Sequence, residues 1–231
     1  DMPEDLRPQI PLTRDAVRAF GIACEELEGF EADDIIATLA RQVREAGGRC
    51  TIVSADKDLM QLVGGGVEMT KPGIQGKADE TIDAEGVERY FGVGPDRVVD
   101  VQALAGDSTD NVPGAPGIGI KIAAQLIGEW GDLDNLLANA GTIKQPKRRE
   151  TLIAKADQIR MSRDLVRLDD TVPLDFTLDD LELQEPNPDL LMEFLSRMEF
   201  RTLTNRIAER FDVAAPAIEM DTPADAPAEL E

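Results

Sequence analysis

Seven carboxylates in three short stretches carry the chemistry this sequence offers. Glu31, Asp33 and Asp34 sit in GFEADDIIATLA, Asp56 and Asp58 in SADKDLMQL, and Asp107 and Asp110 in GDSTDNVPG. The chain has no histidine, which excludes Ser-His-Asp and Cys-His catalysis and any His-bound zinc. Oxygen donors without imidazole or paired thiolates favour hard cations, Mg2+ or Mn2+. Two carboxylates about 4 Å apart repel by roughly 1–4 kcal/mol at effective dielectrics of about 80 to 20. A pocket that gathers all seven therefore needs cations. Two ions about 3.5–4 Å apart would activate water, hold a phosphate and stabilise the leaving oxygen. Each stretch also has an ordinary explanation. Acids in a first helical turn complement the helix dipole, Asp after a strand is common turn chemistry, and GDSTDN is a polar loop. Spacing along the chain does not decide whether the three stretches meet.

Directly after the third stretch comes GAPGIGIKIAAQLIGEWG, the pattern of a helix-hairpin-helix element. Gly117 and Gly119 flank Ile118, which is expected to pack inward. The glycines let the chain turn tightly and let backbone N–H groups approach a phosphate. A helix starting near Lys121 adds its N-terminal dipole. Such contacts position a nucleic acid without reading its sequence. Lys144, Lys147, Arg148, Arg149 and Lys155 follow within KQPKRRETLIAK, either as a further phosphate-facing patch or as a solvated helix face. The formal net charge of −22 argues against a nucleic-acid partner only if the chain is averaged. Residues 114–163 carry eight basic and five acidic side chains, between flanks with net charges of −12 and −13.

These groups need elements to position them. EADDIIATLARQVREAGG reads as an amphipathic helix with Ile35, Ile36, Leu39 and Val43 as its apolar stripe, ended by Gly47 and Gly48. Residues 50–54 read as a buried strand that delivers Asp56 and Asp58 from its carboxyl end, where ligands of open α/β sheets bind. VEMTKPGIQGK suggests a strand and a turn. TIDAEGVERYFGV, capped by Thr81, and GPDRVVDVQALAGD, with Pro95 in its first turn, read as helices. RDAVRAFGIACEELEG has helical spacing to near Gly29. From Gly117 the pattern is helical to about Phe211, over 121–127, 133–138, 147–167, 188–198 and 203–211. The expected fold is α/β, a mostly parallel sheet with flanking helices of PIN-like type, followed by a helical hairpin region. The expected division is 1–113 for the α/β part, 114–211 for the helical part and 212–231 for a Pro/Ala/acid-rich tail. Cys24 and Cys50 have no CxxC spacing and are expected to be buried free thiols of a cytoplasmic protein. No apolar run reaches the roughly 18 residues of a membrane span.

Together, GFEADDIIATLA, SADKDLMQL and GDSTDNVPGAPGIGIKIA resemble the 5′-nuclease domain of bacterial DNA polymerase I, a relative of flap endonucleases. The resemblance runs from about Pro3 to Phe211. It implies a metal-dependent 5′→3′ exonuclease and flap endonuclease that removes RNA primers and displaced flaps. By that resemblance Glu31, Asp33, Asp34, Asp56, Asp58, Asp107 and Asp110 hold Mg2+ directly or through water, as two ions. Gly117, Gly119 and Lys121 grip the duplex, with Lys144, Lys147 and Arg148 adding charge. A K+ ion sits at the hairpin near Ile118, assisted by Ser108. The implied partners are DNA with a 5′ flap, nick or RNA primer and the remaining polymerase domains of one polypeptide, which acts as a monomer. Ile122 stands where the family pattern has a threonine. The family pattern also begins with a strand bearing a catalytic aspartate and a basic helical arch. The resemblance thus implies an internal fragment whose missing arch contributes to its acidity. Two other readings stand beside this one: a non-catalytic DNA-binding module, and a PIN-like RNase, which the hairpin disfavours.

Overall fold

The computed structural model describes residues 2–213. The tail expected at 212–231 lies outside them, apart from Asp212 and Val213. In chain order the elements are α1 (Gln9–Ala19), α2 (Ala32–Glu45), β1 (Cys50–Val53), β2 (Val67–Lys71), β3 (Glu80–Ile82), α3 (Ala84–Phe91) and α4 (Val98–Ala105). Then follow α5 (Ile120–Trp130), α6 (Leu133–Ala138), α7 (Pro146–Ala154), α8 (Ala156–Val166), α9 (Pro188–Arg197) and α10 (Arg201–Phe211). They form two compact units. Leu27–Leu174 is the larger, and residues 2–26 with 175–213 make up the described part of the other.

In the larger unit β2 is central, parallel to β1 and antiparallel to β3. The sheet among the described residues is therefore mixed. Ile52, Met69 and Ile82 align across the three strands and are buried on one face. β3 is too short to show alternation, and its residues read in sequence as the start of a helix. The helix cap is Asp83 rather than Thr81: the Asp83 carboxylate accepts a hydrogen bond from the Gly86 amide at 2.8 Å. α2 buries Ile35, Ala37, Thr38 and Ala40, while Leu39 and Val43 of the expected stripe are only half-buried. The small alanines let α2 approach closely what it packs on. α4 is nearly all apolar and mostly buried, through Val98, Val101, Ala103 and Leu104. It belongs to one continuous core with Leu126, Ile127, Leu133, Leu136, Leu152 and Ile159 of the later helices. The single helix expected over 147–167 is two, broken at Lys155 (φ −110°, ψ 10°). No glycine or proline marks that break. It accompanies burial of both Leu152 on α7 and Ile159 on α8.

In the other unit Leu191, Phe194 and Leu195 of α9 are buried against Ala16 and Ala19 of α1, Phe20 just beyond it, and Leu203, Ile207 and Phe211 of α10. α1 stops at Ala19, not near Gly29, because the next residues turn to pair their backbone elsewhere: the Gln184 amide donates to Gly21 O at 3.0 Å. Cys24 and Cys50 are free and half-buried rather than buried. Among the described residues no helix is long and apolar enough to cross a membrane.

Candidate metal centre and nucleic-acid clasp

β1 ends at Val53, and the chain turns through two local bonds. The Asp56 amide donates to Ser54 Oγ at 3.0 Å, and the Asp58 amide donates to Asp56 Oδ1 at 3.0 Å. Asp58 then opens a 3-10 turn whose Leu59, Met60 and Leu62 are buried. Those apolar anchors fix a carboxylate at the sheet's carboxyl edge. Its Oδ1 accepts a 2.5 Å hydrogen bond from Gln102 Nε2 of α4.

α4 ends at Gly106 (φ +73°), where the chain crosses itself. A Cβ on Gly106 would lie 2.3 Å from Gly114 N, and one on Gly114 would lie 2.2 Å from Ala105 O. Only two glycines permit that crossing. The loop between them is closed by paired bonds, Asp107 N to Val112 O at 2.9 Å and Val112 N to Asp107 O at 2.7 Å. Asp107 is buried, with 7% of its surface exposed. Its Oδ1 accepts from the Thr109 amide at 2.8 Å, and its Oδ2 forms an ion pair with Lys57 Nζ. Beyond that pair, Oδ2 has no hydrogen-bond donor among the described residues.

Asp58, Asp107 and Asp110 converge: each offers one carboxylate oxygen, and the three lie within 4.8 Å of one another. Asp33 of α2 belongs to the same electrostatic neighbourhood. Its pKa is raised by burial first, then by the charges of Asp56, Asp58, Glu31 and Asp34. Burial also raises Asp58, helped by the charges of Asp56 and Asp107 and opposed by Gln102 and Lys57. Asp107 moves the other way, held low by its bond to Lys57 and by the Thr109 amide. Burial works to lower Lys57, but Asp107 and Asp58 raise it overall. The three acidic stretches thus feel one another. Glu31 is the N-cap of α2 yet makes no capping bond with its side chain, so its carboxylate is not spent on the helix. Asp34 is partly engaged elsewhere, accepting the Asp169 amide at 2.9 Å.

Lys57 and Gln102 complete the pocket beside the seven candidate acids. Lys57 sits between two predicted acids in SADKD, and Gln102 is a polar residue within the apolar run of α4; both signals were present. The donor set fits a divalent cation. The oxygens are hard, three converge, and one buried oxygen is balanced only by an ammonium, a stand-in for positive charge.

The hairpin lies a few residues on. α8 fastens the chain between them: Ser162 Oγ donates to Pro113 O at 2.5 Å and Gln158 Nε2 to Gly114 O at 3.1 Å. Ile118 is buried with 4% exposure, as expected. Gly117 adopts φ +79°, which side chains disfavour. Gly119 is the N-cap of α5, and no side chain caps that helix. A Cβ on either glycine would meet nothing within 4 Å. Packing inside the protein therefore does not demand glycine at 119; its bare backbone faces outward. A cavity of about 180 Å3 lies between Pro116–Ile118 and Gln145, Lys147, Arg148 and Thr151. Lys147 and Arg148 are thereby brought to the hairpin. Lys144 lines a neighbouring groove with Trp130 and Arg148, and Lys121 is exposed. Arg149 instead bonds the Ile143 carbonyl at 3.2 Å. Ser108 is exposed in the loop that holds Asp107.

Two family models divide the chain. Residues 1–92 match the 5′-3′ exonuclease N-terminal resolvase-like domain, and residues 93–189 match the 5′-3′ exonuclease C-terminal SAM fold. A 5′-3′ exonuclease of Aquifex aeolicus is 34% identical over 213 residues, covering 92% of this chain and 71% of its own length. This chain belongs to the 5′-3′ exonuclease family. Within that family it is 55% identical over 217 residues to a DNA polymerase I of Rhizobium leguminosarum, covering 94% of this chain and 21% of the polymerase. It spans about a fifth to a quarter of the length of the DNA polymerase I relatives it matches. Solved structures of 5′ nucleases share the exonuclease fold. The catalytic core of Rad2 in complex with a DNA substrate aligns with a TM-score of 0.61 at 21% identity, covering 91% of this chain and 71% of that one. A bacteriophage T5 flap endonuclease in complex with DNA and metal ions aligns with a TM-score of 0.54 at 17% identity, covering 80% and 60%.

Proposed function

We propose that this chain is the 5′-nuclease part of a DNA polymerase I and hydrolyses phosphodiester bonds at 5′ flaps, nicks or RNA primers. The carrying observation is the convergence of Asp58, Asp107 and Asp110, from two separate loops, within 4.8 Å, a few residues from an outward-facing glycine hairpin. In this reading Asp58, Asp107 and Asp110, with Glu31, Asp33, Asp34 and Asp56 around them, hold two divalent ions of Mg2+ or Mn2+ type. Such ions supply Lewis-acid polarisation of the phosphate and a water that loses its proton near neutral pH. The protein's own groups do the rest. Gln102 and Lys57 orient Asp58 and Asp107. The amides around Gly117 and Gly119, with Lys121, Lys144, Lys147 and Arg148, hold duplex phosphates some way from the cut. Water adds to phosphorus as the phosphodiester P–O bond breaks, and the leaving oxygen takes up a proton. The division of labour falls near residue 113, with side-chain carboxylates before it and a backbone clasp after it. A K+ ion held by hairpin carbonyls near Ile118, with Ser108 assisting, completes this reading and rests on the family resemblance.

The test is Asp107→Asn in the full-length polypeptide. Flap cleavage should be lost while duplex binding persists. Unchanged cleavage contradicts the assignment. Binding without any metal-dependent cleavage by the unaltered protein would favour the DNA-binding module, and preference for RNA strands would favour the RNase.

A further inference from the structure

A second groove, with a volume of about 320 Å3, opens beside α3. Met60, Lys71, Glu80, Ile82, Arg89 and Tyr90 line it. Its position relates it to the acids. Met60 belongs to the turn that Asp58 opens. Lys71 is the last residue of β2, which runs parallel to β1, so it lies at the same carboxyl edge of the sheet that delivers Asp56 and Asp58. Groove and acidic pocket are therefore joined through the turn Asp58–Leu62, which gives Asp58 to one and Met60 to the other.

The groove's chemistry is that of a nucleotide site. Tyr90 is the single tyrosine of the chain and 48% exposed. It is not loose: its ring packs on buried Phe91 with centroids 4.9 Å apart. Anchored aromatic rings with an open side are the usual platforms for single-stranded bases. Two cations, Lys71 and Arg89, line the groove with Tyr90 against one lining carboxylate, Glu80, which stands opposite Lys71 in the strand register. Glu85 approaches Arg89 only at 4.0 Å and is largely in water, where such a pair is weak. In a chain of net charge −22, this local balance suits an anion with an aromatic base.

We propose that this groove binds a nucleotide of the cleaved strand next to the scissile phosphate, with its base stacked on Tyr90 and its phosphates facing Lys71 and Arg89. The inference rests on the nuclease reading and adds a subsite to it. Stacking of this kind acts in substrate binding, so its loss appears in KM more than in kcat.

The experiment uses the full-length polypeptide and two readouts. First, a flap substrate carrying 5-iodouracil beside the scissile phosphodiester is irradiated on the Asp107→Asn variant, and the cross-linked peptide is identified by mass spectrometry. The expected peptide contains Tyr90; cross-links confined to other elements overturn the proposal. Second, Tyr90→Ala and Tyr90→Leu should each raise KM about tenfold, the scale of one lost base stack, and Tyr90→Phe should restore it. Tyr90→Leu retains apolar packing on Phe91, so a rise in KM there is not a folding defect. Unchanged KM in Tyr90→Ala, in a protein that cleaves flaps, overturns the groove and leaves the nuclease reading standing. Absence of cleavage by the unaltered protein overturns the nuclease reading itself.

Discussion

The acidic pocket and the glycine hairpin lie within about ten residues of one another in sequence, yet they would meet phosphate by opposite means. The pocket uses side-chain charge. Asp58, Asp107 and Asp110 are brought together against their mutual repulsion, and one ammonium, Lys57, offsets part of it. The hairpin uses bare backbone. Gly117 and Gly119 expose main chain into open space, and Lys147 and Arg148 arrive from another helix. The first should therefore answer to metal and pH, the second to backbone shape and salt. The chain's acidity does not forbid a nucleic-acid partner, because acids gather in the pocket while the hairpin presents bare backbone beside Lys147 and Arg148.

Substitutions can sharpen or break that contrast. The largest effect is expected from Asp107→Asn, which should lower flap cleavage by about 10³-fold, on the scale of removing preorganised electrostatic stabilisation, with DNA affinity little changed in gel-shift titrations. If affinity falls with cleavage, pocket and clasp are not separate. Next, Gly119→Val should weaken duplex binding about tenfold, the scale of one or two lost hydrogen bonds at about 0.5–1.5 kcal/mol each. Its stability should fall by no more than about 1 kcal/mol, the cost of a poorer N-cap, because its Cβ would meet open space. Gly117→Ala should weaken binding and also cost about 1–2 kcal/mol of stability, from its left-handed backbone. Smaller still, Lys147→Gln and Arg148→Gln should each reduce the slope of log affinity against log salt by about 0.9.

The smallest effect concerns pH, and its sign differs within the pocket. Asp33 and Asp58 are raised by burial, so their ionisation opposes folding. In the metal-free protein, stability should rise as pH falls through their elevated pKa values. Asp107 is lowered by Lys57; its contribution is present above the ordinary carboxylate pKa and is lost as pH falls through its depressed one. Metal affinity should weaken from the first of these steps, since ligands must be ionised. Denaturant melts at a series of pH values, with and without Mg2+, would follow both.

Much of this was legible in the sequence, in the places where local signals agree with the fold. α2, β1 and the hairpin carry their own periodicity and glycine punctuation. The residues of the pocket were also visible, but their convergence was not, because it depends on a chain crossing at Gly106 and Gly114 and on Gln102 reaching across from α4. β3 is not legible in the sequence, because three residues at a sheet edge have no pattern of their own. The break at Lys155 has no local cause, and α1 ends early because the backbone at Gly21 pairs with distant Gln184. Asp34 illustrates the limit within the site itself: its type and spacing equal those of its neighbours, but one of its oxygens holds the Asp169 amide.

The most direct test of the shared pocket is calorimetric titration of Mn2+ into the 231-residue chain and into Asp58→Asn, Asp107→Asn and the double variant. Ligands of one site act together, so either single change should abolish most of the binding and the double variant should lose little more. Losses that simply add would mean that these carboxylates serve separate sites, and the central claim would fall.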